Sequence, residues 1–209
     1  MQPYFAPYLG YFQLINEVDR FIFYDDVNYI KGGWINRNYI TINGKLSRFT
    51  IPLKKSSSFK KINEVDVNWG CKDMSKLIKT FDFTIKKDSI SKKIVNQIIE
   101  EKPKTISDMS IMSIKLFSNE LGIKTEFKKS SELEYNKKND KLLNLIEICN
   151  NEKSNHYVNP EGGQSLYKKK DFLKYGIKLD FIKGTPTSSI IDIIDDNDIN
   201  NKLNNYKII

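Results

Sequence analysis

The segment GYFQLINEVDRFIFYDD, residues 10–26, decides the class of fold that we expect for this chain. Apolar side chains recur at helical spacing in its first half, at Tyr11, Leu14, Ile15 and Val18. This spacing predicts a short helix over residues 10–18. Residues 20–24, an arginine followed by four apolar or aromatic residues, then predict a strand, which ends at Asp25 and Asp26. A helix that leads directly into a buried strand favours an α/β fold.

The rest of the sequence extends this alternation of helices and strands. Asn43-Gly44 lies between two alternating segments in residues 39–52, which predicts a tight β-hairpin. Helices are predicted at about 72–82, 90–101, 105–121 and 140–150. Further strands are predicted at 62–67, 123–127 and 177–182, and a loop is predicted at 156–163. We therefore predict a single α/β domain over residues 1–194, with a mixed, largely parallel sheet, a β-hairpin insertion and a helical middle section, followed by a polar tail over 195–209.

The composition excludes several classes of protein. Of the 209 residues 39% are apolar, which is too high a share for a disordered chain. No apolar run approaches the roughly 18 residues of a spanning helix. The beginning of the sequence also lacks the basic cluster of a secretory signal, so we expect no membrane insertion. The two cysteines, Cys71 and Cys149, then indicate reduced thiols and a cytoplasmic location.

The net charge of +8 raises the question of a nucleic-acid partner. Acidic residues are mixed with lysines in segments such as 60–66 and 137–140, so we expect a solvated surface, no nucleic-acid partner and anionic small molecules as ligands. Only three basic residues are arginines: Arg20, Arg37 and Arg48. A guanidinium binds carboxylate or phosphate in a planar, bidentate geometry that lysine cannot copy. We therefore expect at least one of them to bind an anion.

A compact group follows the first strand, at Lys31, Trp34, Asn36 and Arg37. It combines a cation, a stacking surface, an amide and a guanidinium, and this mixture suits a nucleotide-sugar. A place for Trp34 in the hydrophobic core is the alternative.

Three acidic or basic side chains are candidates for catalysis. Asp25 and Asp26 follow a predicted strand, where α/β proteins collect their ligands, and such a pair can act as a base, bind Mg²⁺ or bind a sugar hydroxyl. His156 is the one histidine and has the pKa range suited to proton transfer near neutrality, although a structural role is the alternative. Gly162 and Gly163 follow it and would let the backbone approach a ligand closely. Ser130-Ser131, after another strand, is a weaker candidate for binding phosphate.

Three stretches together resemble one known family. They are MQPYFAPYLGYFQLI (residues 1–15) running on to YDDVN (24–28), then KGGWINRN (31–38), and YVNPEGGQSLY (157–167). This sequence is similar to the WbqC-like family, α/β proteins of bacterial surface-polysaccharide gene clusters. The resemblance implies that Gln2, Tyr4 and Asn159 contribute to substrate binding. Members of that family begin a few residues earlier with a short apolar strand, so a truncated or misassigned start is one expectation.

The first stretch also resembles the opening of small nucleotidyltransferases. Their pattern is Phe-Asp-Pro followed by His-x-Gly-His at the start of a helix, and Tyr8 and Tyr11 stand here at the two histidine positions. This resemblance implies a nucleotidyltransferase-like Rossmann core and an anion site at the helix that begins near Gly10. Tyrosine cannot supply the positive charge of a histidine, which argues against nucleotidyl transfer itself.

The family resemblance implies a role in building O-antigen or a related glycan. Our hypothesis is the transfer of an aminoacyl (glycyl) or acyl group onto a nucleotide-linked amino sugar, with Asp25 or His156 as the base. The donor would be a thioester or an adenylate, and Mg²⁺ is a candidate cofactor. Two alternatives stay open: a nucleotide-sugar binding or scaffold protein that serves other polysaccharide-assembly enzymes, and a degenerate nucleotidyltransferase.

Overall fold

A computed structural model describes residues 1–138 and 140–209. Its helices are α1 (Leu9–Glu17), α2 (Lys72–Thr84), α3 (Ile90–Glu101), α4 (Ile106–Glu120), α5 (Lys141–Asn151), α6 (Lys169–Leu173) and α7 (Ile199–Asn204). Its strands are β1 (Arg20–Phe23), β2 (Arg37–Ile42), β3 (Lys45–Thr50), β4 (Glu126–Lys129), β5 (His156–Pro160), β6 (Lys178–Lys183) and β7 (Lys207–Ile208). Short 3-10 turns follow β4 and β5.

The opening segment folds as predicted into a helix and a strand. The residues of α1 from Leu9 to Ile15 are all buried, and β1 pairs in parallel with β4 in the register Arg20↔Glu126. Met1 extends this pairing on the other side of β1: its amine donates to the carbonyl of Ile22 at 2.6 Å, and its own carbonyl accepts from the amide of Tyr24 at 2.8 Å. The carboxyl ends of β1 and β4 therefore lie together at one edge of the fold.

The predicted β-hairpin is confirmed. Strands β2 and β3 pair antiparallel around Asn43 and Gly44, whose φ angles are +50° and +75°. These two left-handed residues give the turn the twist that a two-residue hairpin requires, and asparagine and glycine adopt it at the lowest cost. The side-chain amide of Asn38 donates to the carbonyls of Phe5 and Ala6 at 3.1 and 2.5 Å, which attaches the hairpin to the N-terminal segment.

The helical middle section is also confirmed, and its helix boundaries follow from capping side chains. Ser89 accepts from the amide of Lys92 at the start of α3, and Thr105 accepts from the amide of Asp108 at the start of α4. The strand predicted at 62–67 is wrong, since residues 62–64 form a 3-10 turn and Asp66 and Val67 make only isolated bridges. The strand predicted at 123–127 lies later, at β4, because the pairing with β1 determines its register.

The last third of the chain contains more strand than the sequence predicts. Residues 156–160 were expected in a loop, but they form β5, which pairs in parallel with β6. Proline is tolerated there because β5 is an edge strand of the β5-β6-β7 sheet. The segment 195–209, predicted as a polar tail, contains α7 and β7; Leu203 is buried, and β7 pairs antiparallel with β6.

The structure thus combines helices with three small sheets, β1-β4, β2-β3 and β5-β6-β7, some parallel and some antiparallel. An α/β fold is what the sequence predicted, but the described strands form three separate sheets rather than one mixed sheet. Buried side chains of α1, the hairpin, α2 to α4 and β1 form the larger hydrophobic core, and a smaller core joins α5, α6, β5 and β6. None of the helices described is both long enough and apolar enough to cross a bilayer.

Candidate functional site

An acidic pair lies at the carboxyl end of β1, where it meets the two serines that follow β4. Asp25 is 1% exposed. Its Oδ1 accepts from the amide of Ser131 at 3.1 Å, its Oδ2 accepts from the Ser131 hydroxyl at 2.8 Å, and its own amide donates to Ser130 Oγ at 3.2 Å. Asn63 is within 3.5 Å of the same carboxylate. Parallel pairing of β1 and β4 brings these residues together across more than 100 positions of sequence.

The second carboxylate, Asp26, contacts a different set of side chains. The Lys137 ammonium forms an ion pair with Asp26 Oδ2 and donates to the Asp26 carbonyl at 2.5 Å. The Tyr135 hydroxyl lies 3.2 Å from Oδ2, and the Ser130 hydroxyl contacts Oδ1. Because a hydroxyl has one proton and Ser130 lies between both carboxylates, it can donate to only one of them at a time.

The pKa of Asp26 is held below the ordinary value of an aspartate. Burial alone would raise this pKa, but hydrogen bonds from Lys137 and Ser130 and the charge of Lys137 outweigh it. The pKa of Tyr135 is raised, first by burial and then by the neighbouring negative charge of Asp26. Asp26 is therefore an anion and Tyr135 a neutral hydrogen-bond donor at neutral pH.

Acid is expected to weaken the fold by protonating Asp26. Because its folded pKa lies below the unfolded one, its ionisation contributes stability above the unfolded pKa, near pH 4, and that contribution is lost as pH falls through the folded pKa. Lys137→Met removes the cation and should lower the free energy of unfolding at pH 7, with the difference from the native chain shrinking toward pH 2. Urea denaturation across this range measures it, and a difference that stays constant with pH would contradict the ion pair.

Two tyrosines, Tyr8 and Tyr24, have hydroxyl groups with raised pKa values. Glu161, after the carboxyl end of β5, is near enough to Tyr8 to raise the pKa of its hydroxyl, after the larger effect of burial. The pKa of the Tyr24 hydroxyl is also raised. Burial is the largest cause, followed by the negative charge of Asp26 and, more weakly, by Tyr167. Segments 24–26 and 130–137 thus meet at the carboxyl ends of β1 and β4, and residues 161–167 follow the carboxyl end of β5.

The residues of the N-terminal motif occupy different environments. Tyr11 is fully buried, and its hydroxyl donates to the carbonyl of Gln2 at 3.0 Å. Tyr4 packs edge-on against Tyr11 and accepts from the amide of Tyr8 at 3.3 Å. Gly10 is buried against the Tyr8 ring. Tyr8 is half-buried, and the negative charge of Glu161 contributes to the raised pKa of its hydroxyl, so it is our candidate among these five residues to contact a ligand.

The group predicted around Trp34 divides into structural and exposed members. Asn36 is buried, accepts from the Tyr29 hydroxyl at 2.7 Å and donates to the carbonyl of Ile51 at 2.8 Å. Trp34 packs against Tyr39, with ring centres 5.7 Å apart, but it is 57% exposed and is therefore not a core residue. Arg37 donates to the carbonyl of Gly32 at 3.0 Å, and Lys31 is exposed.

The predicted residues of β5 lie at its two opposite ends. His156 begins the strand, and its Nε2 is 3.0 Å from Asp180 Oδ2, a carboxylate that also pairs with Lys178. Asn159 is near the carboxyl end and packs against Gly163, where an added Cβ would come within 2.9 Å of the asparagine side chain. Four residues of strand span about 13 Å, so His156 lies about that far along β5 from the end that Asn159, Gly162 and Gly163 share.

Sequence reasoning missed Tyr135 and Lys137, and it ranked Ser130 and Ser131 low. Residues 133–138 have neither helical nor strand periodicity, so only the pairing of β1 with β4 reveals their contact with Asp26. For the predicted Mg²⁺, the donor set is a poor fit, because serine, tyrosine and lysine donors occupy the carboxylate oxygens of the pair. Among the residues that the structure describes, no group of three or more histidine, cysteine, aspartate or glutamate side chains could hold a metal ion.

Comparison with known proteins decides the family. The model of the WbqC-like protein family matches residues 2–189, nearly the whole chain. The chain belongs to the WbqC-like protein family. This WbqC-like chain is also 27% identical over 183 residues to the uncharacterized protein Rv1507c of Mycobacterium tuberculosis, an alignment that covers 86% of this chain and 78% of that protein. No solved structure matches it significantly.

Proposed function

We propose that this WbqC-like protein transfers an aminoacyl or acyl group onto the amine of a nucleotide-linked amino sugar in the biosynthesis of a surface polysaccharide. The observation that carries the proposal is the ammonium of Lys137 held by the side chain and the carbonyl of Asp26. A primary ammonium is the same group that an amino sugar presents. The site is therefore already complementary to the acceptor that the family context suggests.

The binding step follows from the exposure of the two partners. The Asp26 side chain is 8% exposed, whereas that of Lys137 is 38% exposed and reaches the site from a loop. An incoming sugar ammonium can replace Lys137 on Asp26, and Lys137 is then free to contact the phosphates of the same ligand. Tyr135 and Ser130 remain to orient the carboxylate.

The chemical step needs a base and an activated acyl donor. Once Lys137 has left, the largest of the effects that lower the pKa of Asp26 is gone; Asp26 then accepts a proton from the ammonium, and the amine nitrogen attacks the acyl carbonyl carbon. A nitrogen–carbon bond forms as the carbon–sulfur bond of a thioester, or the carbon–oxygen bond of an adenylate, breaks. The nitrogen gives its second proton to the leaving sulfur, which departs as a thiol, or to solvent when AMP departs as an anion, and Asp26 then returns its proton to solvent. In this proposal His156, at the other end of β5, takes no part.

Two alternative functions would involve a different ligand or no catalysis. A nucleotide-sugar binding or scaffold protein would bind the acceptor without a donor. A degenerate nucleotidyltransferase would bind a nucleoside triphosphate near Tyr8, next to the start of α1. There the amide of Leu9 already donates to Thr187 Oγ1 at 3.1 Å, which occupies one of the backbone donors that a phosphate would need.

Thermal stability with ligands tests the proposal. The full chain is heated with a nucleotide-linked amino sugar, with its N-acetylated counterpart, and with each in the presence of a coenzyme A thioester or ATP plus glycine. At 100 times the dissociation constant a ligand stabilises the fold by about 2.7 kcal/mol, which shifts the melting temperature clearly. We expect the free amine to stabilise more than the N-acetylated sugar, and a donor to add a second shift. Equal shifts by both sugars, or no shift at all, would contradict the assignment of Asp26 to the amine.

A further inference from the structure

The positive charge of the chain is concentrated in one segment. Residues 27–61 contain eight lysines and arginines and no aspartate or glutamate: Lys31, Arg37, Lys45, Arg48, Lys54, Lys55, Lys60 and Lys61. The whole chain has 34 basic and 26 acidic residues, so the remainder has 34 − 8 = 26 basic and 26 acidic residues. The net charge of +8 therefore resides in this segment, which corrects the expectation that charges are mixed evenly along the sequence.

The segment folds as one lobe, which we call the basic lobe (residues 27–61). It consists of the β2-β3 hairpin and the loop segments that flank it. Its two ends are joined, because the amide of Tyr29 donates to the carbonyl of Lys60 at 2.8 Å and the amide of Ile62 donates to the carbonyl of Val27 at 2.9 Å. Ile40, Phe49 and other inward side chains pack into the core, so the charged side chains remain on the outside.

Large apolar side chains are also exposed on the basic lobe. Phe59 is 92% exposed, Leu46 is 58% exposed, Trp34 is 57% exposed and Ile30 is 53% exposed. Phe59 has Lys60 and Lys61 directly after it, and Lys54 and Lys55 open the same loop. The Tyr29–Lys60 hydrogen bond brings Ile30 and Lys31 to the neighbourhood of Phe59. Ile30 and Phe59 are thus exposed apolar groups close to one another and beside lysines, and such a patch marks an interaction site.

We propose that the basic lobe binds the surface of an anionic phospholipid bilayer. Lysines attract anionic headgroups while their aliphatic stems lie along the apolar boundary, and aromatic and aliphatic side chains enter the headgroup region. Aliphatic groups such as Ile30 and Leu46 would find no complementary partner on a phosphate backbone, which favours a bilayer over a nucleic acid. Binding of this kind requires no spanning helix. It stands independently of the transferase proposal.

Vesicle sedimentation tests the inference with matched variants of the full chain. The vesicles contain phosphatidylcholine alone or phosphatidylcholine with phosphatidylglycerol, at low and at physiological salt. The lobe variant is Phe59→Ser/Lys60→Gln/Lys61→Gln. The control is Phe83→Ser/Lys86→Gln/Lys87→Gln, which removes the same groups near the end of α2, where Phe83 is 79% exposed and an acidic residue, Asp88, directly follows the lysines. Circular dichroism melts check that each variant is folded.

We expect the native chain to bind the vesicles that contain phosphatidylglycerol and not those of phosphatidylcholine alone, and we expect salt to weaken this binding. The partition coefficient should be more than tenfold lower in the lobe variant and unchanged in the control. Each lysine near an anionic surface strengthens partitioning by about fivefold, so two lysines and a phenylalanine exceed that threshold. No binding at low salt would overturn the inference, as would an equal loss in both variants. Binding to an oligonucleotide but not to vesicles would assign the lobe to nucleic acid instead.

Discussion

Asp26→Asn is expected to lower the rate of amide formation at least 100-fold. Asparagine keeps the shape of the side chain but cannot accept the proton of the acceptor amine, and a general base contributes about 10² to 10⁴ in rate. It also cannot balance an ammonium charge in a site that is 8% exposed. The extra thermal shift that the free amine produces over the N-acetylated sugar should disappear as well, and this readout does not depend on the identity of the donor.

Asp180→Asn is the matched control. Asp180 is also a buried aspartate that pairs with a lysine, but it lies on β6, where its carboxylate contacts His156 and Lys178. If Asp26 is the base, Asp180→Asn should leave the rate within about twofold. A large loss in Asp180→Asn with little loss in Asp26→Asn would instead support His156 as the base, because the aspartate orients that imidazole.

Gly184→Ala is expected to lower the free energy of unfolding by about 2–3 kcal/mol, which is at the upper end of the cost of overpacking. Gly184 follows β6 and touches the backbone of α1. An added Cβ would lie 2.8 Å from Gly10 Cα and 3.0 Å from Gln13 Oε1, and the first contact is with backbone that cannot rotate away. Urea denaturation of the full chain measures the loss.

Gly70→Ala separates this close contact from the general effect of removing a glycine. An added Cβ at Gly70 would meet no atom within 4 Å. We expect its free energy of unfolding to stay within about 0.5 kcal/mol of the native value. If Gly184→Ala were as stable as Gly70→Ala, the packing of α1 against the segment after β6 would differ from the structure described here.

Local signals in the sequence predicted local structure well. The Asn43-Gly44 turn, the helices with serine or threonine caps and the strand before Asp25 all lie within a few residues of their predicted positions, since each depends on neighbours in the sequence. The sequence failed where pairing between distant segments decides the structure. β5 carries no strong strand pattern and becomes a strand because β6 lies beside it, and the position of β4 is determined by β1.

The candidate site shows the same division. Asp25 and Asp26 could be predicted because acids directly after a buried strand are a local pattern. Tyr135 and Lys137 could not be predicted, because nothing in the sequence near them indicates that their partner, Asp26, lies 109 and 111 positions earlier. The concentration of charge in the basic lobe was visible in the sequence, but its meaning depends on which apolar side chains remain exposed after folding.

The hydrogen bonds of Gln13 can form only late in the synthesis of the chain. Its amide group, in α1, accepts from the amide of Thr185 at 2.7 Å and donates to the carbonyls of Lys202 and Asn205 at 2.7 and 3.1 Å. These partners leave the ribosome 172 or more residues after Gln13. At about 5–20 residues per second, α1 waits for about 10–35 s with this polar group unsatisfied. The N-terminal segment of a nascent chain would therefore remain open to chaperones and proteases until the segment from Thr185 to Asn205 has been synthesised.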